Sequence, residues 1–175
     1  LNVQGSSGLI LSLSNFDTTT YAADTFAGIE LKLRTGNTGT TDATCEIRGL
    51  KENGTNGNSA RALTFYTGVS GGSNNERLRI DSSGRFLLGH TASVEGGSSS
   101  LQAKLQVSGT DFSSSAINLQ RYQNNSPAAA ITFSKSRNAT QGSHTILQDN
   151  DELGKLIFYG SDGNDFQNEG ARIFA

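Results

Sequence analysis

The sequence predicts an all-β chain of repetitive antiparallel modules, prism- or sandwich-like, that share their core with other chains. Three observations lead there. Apolar residues alternate with polar ones at period two: Ile29, Leu31 and Leu33 against Glu30, Lys32 and Arg34, then Leu78 and Ile80 against Arg77, Arg79 and Asp81. Strand-sized runs are parted by turn-forming groups: Asn53-Gly54, Asn56-Gly57, Asp81-Ser-Ser-Gly84 and Asp162-Gly163. Apolar material is scarce. Hydrophobic residues make up 34% of the chain, against about 45–50% in a usual globular domain. Ser, Thr, Asn and Gly fill 75 of the 175 positions. A lone domain of this length buries about 70% of its unfolded surface, and this composition does not supply that. Disorder is the poorer explanation, because the apolar residues cluster in β-prone runs and the net charge is only −2. A core shared between chains, and so obligate association, is the better one.

The elements follow in order. Leu9–Asn15, Gly28–Arg34, Cys45–Gly49 and Ala62–Gly68 are the first strand candidates. Arg77–Asp81 and Phe86–Gly89 come next, then Leu105–Gly109, Ala116–Tyr122, Ala130–Ser136, Leu156–Gly160 and Ala171–Ala175. In each Phe-Tyr pair, 65–66 and 158–159, one ring is expected to face in and one out. No 12-residue stretch shows clean helical spacing, and Gly and β-branched residues are too dense for helix. A short helical turn is expected near Ser99–Lys104. Polar loops occupy Asp17–Thr25, Gly68–Asn75 and Val94–Ser100.

The chain repeats itself. Leu1-Asn-Val-Gln-Gly5 recurs as Leu105-Gln-Val-Ser-Gly109. After it, Leu9–Asn15 corresponds in kind to Ala116–Tyr122, and Gly28–Arg34 to Ala130–Ser136. Ala62–Gly68 resembles Leu156–Gly160, and Cys45–Gly49 resembles Ala171–Ala175 in a different order, which suggests an extra hairpin at 144–160. The implied division is a first β module at 1–94, a polar hinge at 95–104 and a second, truncated module at 105–175. Glu95-Gly-Gly-Ser-Ser-Ser100 has the composition of a flexible joint. The chain opens on Leu1 rather than Met and stops mid-pattern, so it reads as an internal piece of something longer.

Charge and length exclude some partners. Fourteen basic residues face sixteen acidic ones, with no basic cluster for nucleic acid. No apolar run approaches the roughly 20 residues of a membrane span. Cys45 is the single cysteine, so an intrachain disulfide is impossible. It reads as a small buried hydrophobe.

The segment Glu76-Arg-Leu-Arg-Ile-Asp-Ser-Ser-Gly-Arg-Phe-Leu-Leu-Gly89, with Lys104-Leu-Gln-Val-Ser-Gly109 after it, resembles the repeats of bacteriophage tail fibres and related virion appendages, especially of marine and cyanobacterial phages. Ala62–Thr67 and Asp151–Gly160 add to the resemblance. The family usually carries Val-Gly-Ile-Gly where this chain has Phe86-Leu-Leu-Gly89. The resemblance implies an elongated homotrimeric β fibre, located on the virion and extracellular, that works with other tail proteins in host attachment. About a trimer axis, Ile29, Leu31, Leu33, Leu63, Phe65, Leu78 and Ile80 are expected to meet their symmetry mates. Less favoured readings are a module binding host cell-surface glycan and a polysaccharide-degrading tailspike.

Local chemistry is sparse, and no enzyme is expected. Gly68-Val-Ser-Gly-Gly72 has nucleophile-elbow spacing, but the helix that should follow is missing, so a chance match in a Gly- and Ser-rich chain explains it. His90 and His144 lack metal-ligand spacing. Asp149, Asp151 and Glu152 could supply part of a calcium shell, but the twelve-residue loop is missing and a hairpin tip explains them equally well. A glycosidase needs two carboxylates about 5–10 Å apart in a cleft. Tyr21, Tyr66, Tyr122 and Tyr159 could stack on sugars if exposed, though packing is favoured. The sequons at Asn53, Asn124 and Asn138 are expected by chance in this composition. No catalytic, cofactor or metal residue is assigned, and any binding residues are unknown.

Overall fold

The computed structural model describes residues 22–34, 42–70, 72–97 and 101–175. It is all-β and mainly antiparallel, with no helix among the described residues. The expected strand at Leu9–Asn15, and most of the expected loop at Asp17–Thr25, lie outside them.

Backbone contacts divide the chain into two units, Leu1–Val94 with Ala103–Ala116, and Glu95–Gln102 with Ile117–Ala175. In the first unit, six strands hydrogen-bond in chain order: β1 (Phe26–Arg34), β2 (Asp42–Lys51), β3 (Arg61–Gly68), β4 (Asn74–Ile80), β5 (Phe86–Leu88) and β6 (Leu105–Val107). All pairings are antiparallel except β5 with β6, which is parallel. The repeat-opening Leu105-Gln-Val is thus a strand of the first unit's sheet. The second unit contains one hairpin, β7 (Lys155–Gly160) with β8 (Asn168–Phe174).

Register follows from the alternation. Leu63, Ile80, Phe86 and Leu105 form one cross-strand row, and Phe65, Leu78, Leu88 and Val107 form a second row on the same face. Between them Thr64, Arg79, Leu87 and Gln106 form a row on the opposite face. A bulge at Arg77 shifts the ladder, so Tyr66 opposes Glu76.

The Glu76–Gly89 segment is a run of structural devices. Asp81 is buried and closes the β4–β5 turn: its Oδ1 accepts from the N–H groups of Ser83 and Arg85, both at 2.9 Å, and its Oδ2 from Arg85 Nε at 2.6 Å. Gly84 turns the chain at φ +70°. Leu87 is 1% exposed. Gly89 has φ +77°, and a Cβ there would stand 2.2 Å from the Ser108 carbonyl oxygen. That close approach lets the Ser108 N–H reach Leu88 O at 3.0 Å and seats β6.

The helical turn expected at Ser99–Lys104 does not form over residues 101–104. Their carbonyls are used elsewhere: Leu101 O accepts from Gly96 N, Ala103 O from the Gln106 side chain, and Lys104 O from Phe86 N. Ala116–Tyr122 and Ala130–Ser136, expected as strands, join no ladder among the described residues. Of the expected hairpin at 144–160, only β7 is strand, and its partner is β8.

Two glycines separate turn strain from steric clash. Gly84→Ala meets nothing nearer than the Lys104 amine at 3.8 Å, so it is expected to cost about 1 kcal/mol of left-handed strain. Gly89→Ala adds a backbone collision and is expected to cost about 2–4 kcal/mol and release β6. Urea midpoints of the two variants check the order.

Candidate functional site

The two faces of the six-stranded sheet differ sharply. One carries Ile29, Leu31 and Leu33 from β1, Cys45 and Ile47 from β2, and Leu63 and Phe65 from β3. It continues through Leu78 and Ile80 of β4, Phe86 and Leu88 of β5, and Leu105 and Val107 of β6. Those residues are apolar, and Lys51, Arg61, Thr67 and Asn75 share the face at the strand ends. Yet Ile29, Leu31, Leu33, Ile47, Leu63, Phe86, Leu88 and Leu105 are each 36–59% exposed. Phe65, Leu78, Ile80 and Cys45 are half-buried. All seven residues expected to face a shared core therefore lie on one face, and nothing described covers it.

The opposite face is the covered one. The three buried apolar residues among those described, Leu50, Ala62 and Leu87, belong to it, as does the fully buried Thr64. Gln106 donates to Ser93 Oγ and accepts from Val94 N, which draws the 93–94 segment over this side. An ionic network fills the rest. The Arg48 guanidinium lies over the rings of Phe26 and Tyr66, 4.0 and 4.1 Å from their centroids. Arg48 Nε donates to Glu46 Oε2 at 2.6 Å, and Asn74 donates to Glu46 Oε1 at 2.9 Å. The Asn74 bond, with the Arg48 pair, holds the Glu46 carboxyl below its usual range against a desolvation that raises it. Tyr66 donates its hydroxyl to Glu76, and burial followed by that carboxylate pushes the phenol up. Glu76 grips Arg79 through two bonds of 2.7 and 2.9 Å, which raises the Arg79 pKa. No buried side-chain polar atom among the described residues lacks a partner. These charges serve one another, and none of the network's ion pairs is aimed at a ligand.

The second hairpin repeats the first. Leu63, Phe65, Tyr66, Glu76, Arg79 and Ile80 recur as Leu156, Phe158, Tyr159, Glu169, Arg172 and Ile173, each 93 residues on. The bulge falls at the same Phe-Tyr step, and Glu169 grips Arg172 through two bonds as Glu76 grips Arg79. The apolar side repeats too: Leu156, Phe158 and Ile173 are 47–64% exposed. Sequence comparison anchored on the Leu-x-Val-x-Gly match had set Ala171–Ala175 beside Cys45–Gly49. The ladder sets Ala171-Arg-Ile173 beside Leu78-Arg-Ile80 instead. The signal was present as Phe-Tyr, nine residues, Glu-x-x-Arg-Ile.

The remaining candidates sit apart from any such arrangement. Gly68 ends β3, and Val69–Ser70 lead by way of Gly72 into β4, so no helix follows the nucleophile-elbow spacing; Gly71 lies outside the described residues. His90 is exposed and takes the Ala92 N–H, and His144 is exposed. Both Asp151 oxygens are engaged, Oδ1 by Lys135 and Arg137 at 3.0 and 2.9 Å and Oδ2 by Arg137 and the Gln148 N–H at 2.6 and 2.9 Å. Those bonds, Arg137 foremost, hold its carboxyl far below the usual range, and no lone pair points at a cation site. No group of three metal-ligating residues occurs among the described residues. An open groove of about 490 Å³ beside Phe26, Lys51 and Asn58–Arg61 has no carboxylate in its lining. Tyr66 is engaged by Arg48 and Glu76, Tyr159 lies against Gly97, Tyr122 is exposed, and Tyr21 lies outside the described residues. Phe65 and Tyr66 fall on opposite faces. No described helix is long and apolar enough to cross a membrane. Comparison with protein-family models, with characterised proteins and with solved structures finds no match.

The carboxylates set a pH dependence. Asp81 is buried, which raises its pKa, but the N–H groups of Arg85 and Ser83 and the Arg85 guanidinium outweigh that and hold it low. Glu46 is also held low. A carboxyl whose folded pKa is depressed adds stability above its unfolded pKa and loses it as pH falls through the folded value. Stability is therefore expected to be flat down to about pH 4.5 and to fall below it. Asp81→Ala should remove part of that slope and cost about 2–3 kcal/mol at pH 7. Urea midpoints from pH 7 to pH 2.5 check both.

Proposed function

We propose that the chain is a structural module of a fibre in which identical chains pack their apolar sheet faces about a common axis. More particularly, it is a shaft module of a homotrimeric bacteriophage tail fibre, on the outside of the virion, supporting host attachment beside other tail proteins. One observation carries the fibre reading: among the described residues one face of the sheet is covered and the other, predominantly apolar, is open. Contiguous exposed apolar surface of this kind marks an interaction face. Covering the half-exposed leucines and isoleucines adds about 1 kcal/mol each. The repeated hairpin supports the same reading, because each unit by itself exposes an apolar side of the same pattern. The phage assignment rests on the resemblance at Glu76–Gly89 and Lys104–Gly109.

Light scattering on the 175-residue chain is expected to give three times 18.4 kDa. Leu63→Glu places a charge on the shared face in every copy, at several kcal/mol each, and is expected to give single chains. Lys32→Gln, on the opposite face, should leave the mass unchanged. A wild-type mass of one chain would sink the reading.

A further inference from the structure

The second unit holds two parts of an unfinished sheet. The β7–β8 hairpin pairs only with itself among the described residues. Its counterpart β3–β4 is flanked on both edges, by β2 and by β5. A two-stranded hairpin alone is marginal in water, and an open edge is a row of unpaired N–H and C=O groups. The same unit contains Ile117–Tyr122, which matches the six residues of β7. Among the described residues this stretch has no ladder partner and no backbone hydrogen bond to a distant residue. Its side-chain bonds are local, Arg121 to Gln123 and Asn125, and Tyr122 to Gln120. Ile117 and Leu119 are 67% and 51% exposed and alternate with Asn118 and Gln120, the pattern of a half-buried strand. The other extended stretch is already committed within the chain: Lys135 and Arg137 grip Asp151, and Phe133 lies against Gly154.

We propose that Ile117–Tyr122 of one chain adds as a strand to the free edge of β7 in a second copy. The idea rests on the homomeric fibre above and adds strand exchange to it. With Ile117 and Leu119 on the side of Leu156 and Phe158, the added strand extends the apolar face, as Ile47 of β2 does beside Phe65. Asn118, Gln120 and Tyr122 then fall on the side of Tyr159 and Arg172. In a closed ring each chain gives one strand and receives one, so the β7 edge and the Ile117–Tyr122 stretch of every copy are used.

Residue-resolved amide hydrogen exchange on the assembled 175-residue chain and on the Leu63→Glu chain, with light scattering on both, tests this. In the oligomer, the amides of Ile117–Tyr122 and the β7 amides not bonded to β8 are expected to slow together, on the order of 100-fold or more. In the single-chain variant both sets are expected to exchange fast. Fast exchange at Ile117–Tyr122 in an intact oligomer overturns strand exchange and leaves the homomeric fibre standing. Equal protection in the single chain shows pairing within one copy and also overturns it. Single chains for the unsubstituted protein overturn both readings.

Discussion

One constraint governs the rest: the sheet has a predominantly apolar face that none of the described residues covers. An apolar face in water is a cost of about 25 cal/mol per Å², and folded domains remove it by packing a second layer on top. Here the chain spends its covering segments on the other side. The 93–94 segment and Gln106 close over Leu87, while the Arg48, Glu46, Glu76 and Arg79 network fills the space beside Thr64. Nothing remains in the described residues to lie over Leu31, Leu63 and Phe86. The layer that covers them, on the proposed assembly, is the same face of other copies.

That arrangement explains why the polar face is so heavily cross-linked. On the proposed assembly most of the sheet's apolar residues face another copy, and the buried set within the described residues, Leu50, Ala62 and Leu87, is too small to fix the register alone. A one-residue slip would turn every apolar side chain to the wrong face. The paired Glu76 and Arg79, the bulge at Arg77, the Asp81 turn and the Gly89 contact each pin one step of the ladder within the chain. Surface ion pairs alone contribute little. The Arg48–Glu46 pair, stacked on Phe26 and Tyr66, and the two-bond Glu76–Arg79 pair hold geometry as well as energy.

Much of the fold was legible because period two is a direct readout of facing. Ile29, Leu31 and Leu33 announced β1, and Leu78 and Ile80 announced β4. Asp81-Ser-Ser-Gly84 announced its turn, because Asp side chains cap backbone N–H groups and Gly accepts positive φ. The common facing of Ile29, Leu31, Leu33, Leu63, Phe65, Leu78 and Ile80 was legible for the same reason. Two features stayed hidden. The 93-residue hairpin repeat was masked by the sharper Leu-x-Val-x-Gly match, whose second copy is β6 of the first sheet. The helical turn near residue 101 failed because carbonyls there serve Phe86 and Gln106, partners that local propensity does not see.

The segments that read as strands and yet pair with nothing are the most telling of these differences. Strand propensity in Ile117–Tyr122 reflects a half-buried pleated surface, and that surface must be supplied by a neighbour. Among the described residues the neighbour is missing, while β7 offers an edge with the matching apolar side. The first sheet shows what completion looks like, because β3–β4 is the same hairpin with strands on both edges. The scarcity of apolar residues and the surplus of unpaired strand then have one cause. On the proposed assembly the unit that folds is larger than the chain, and part of the pattern in each sequence is addressed to its copies.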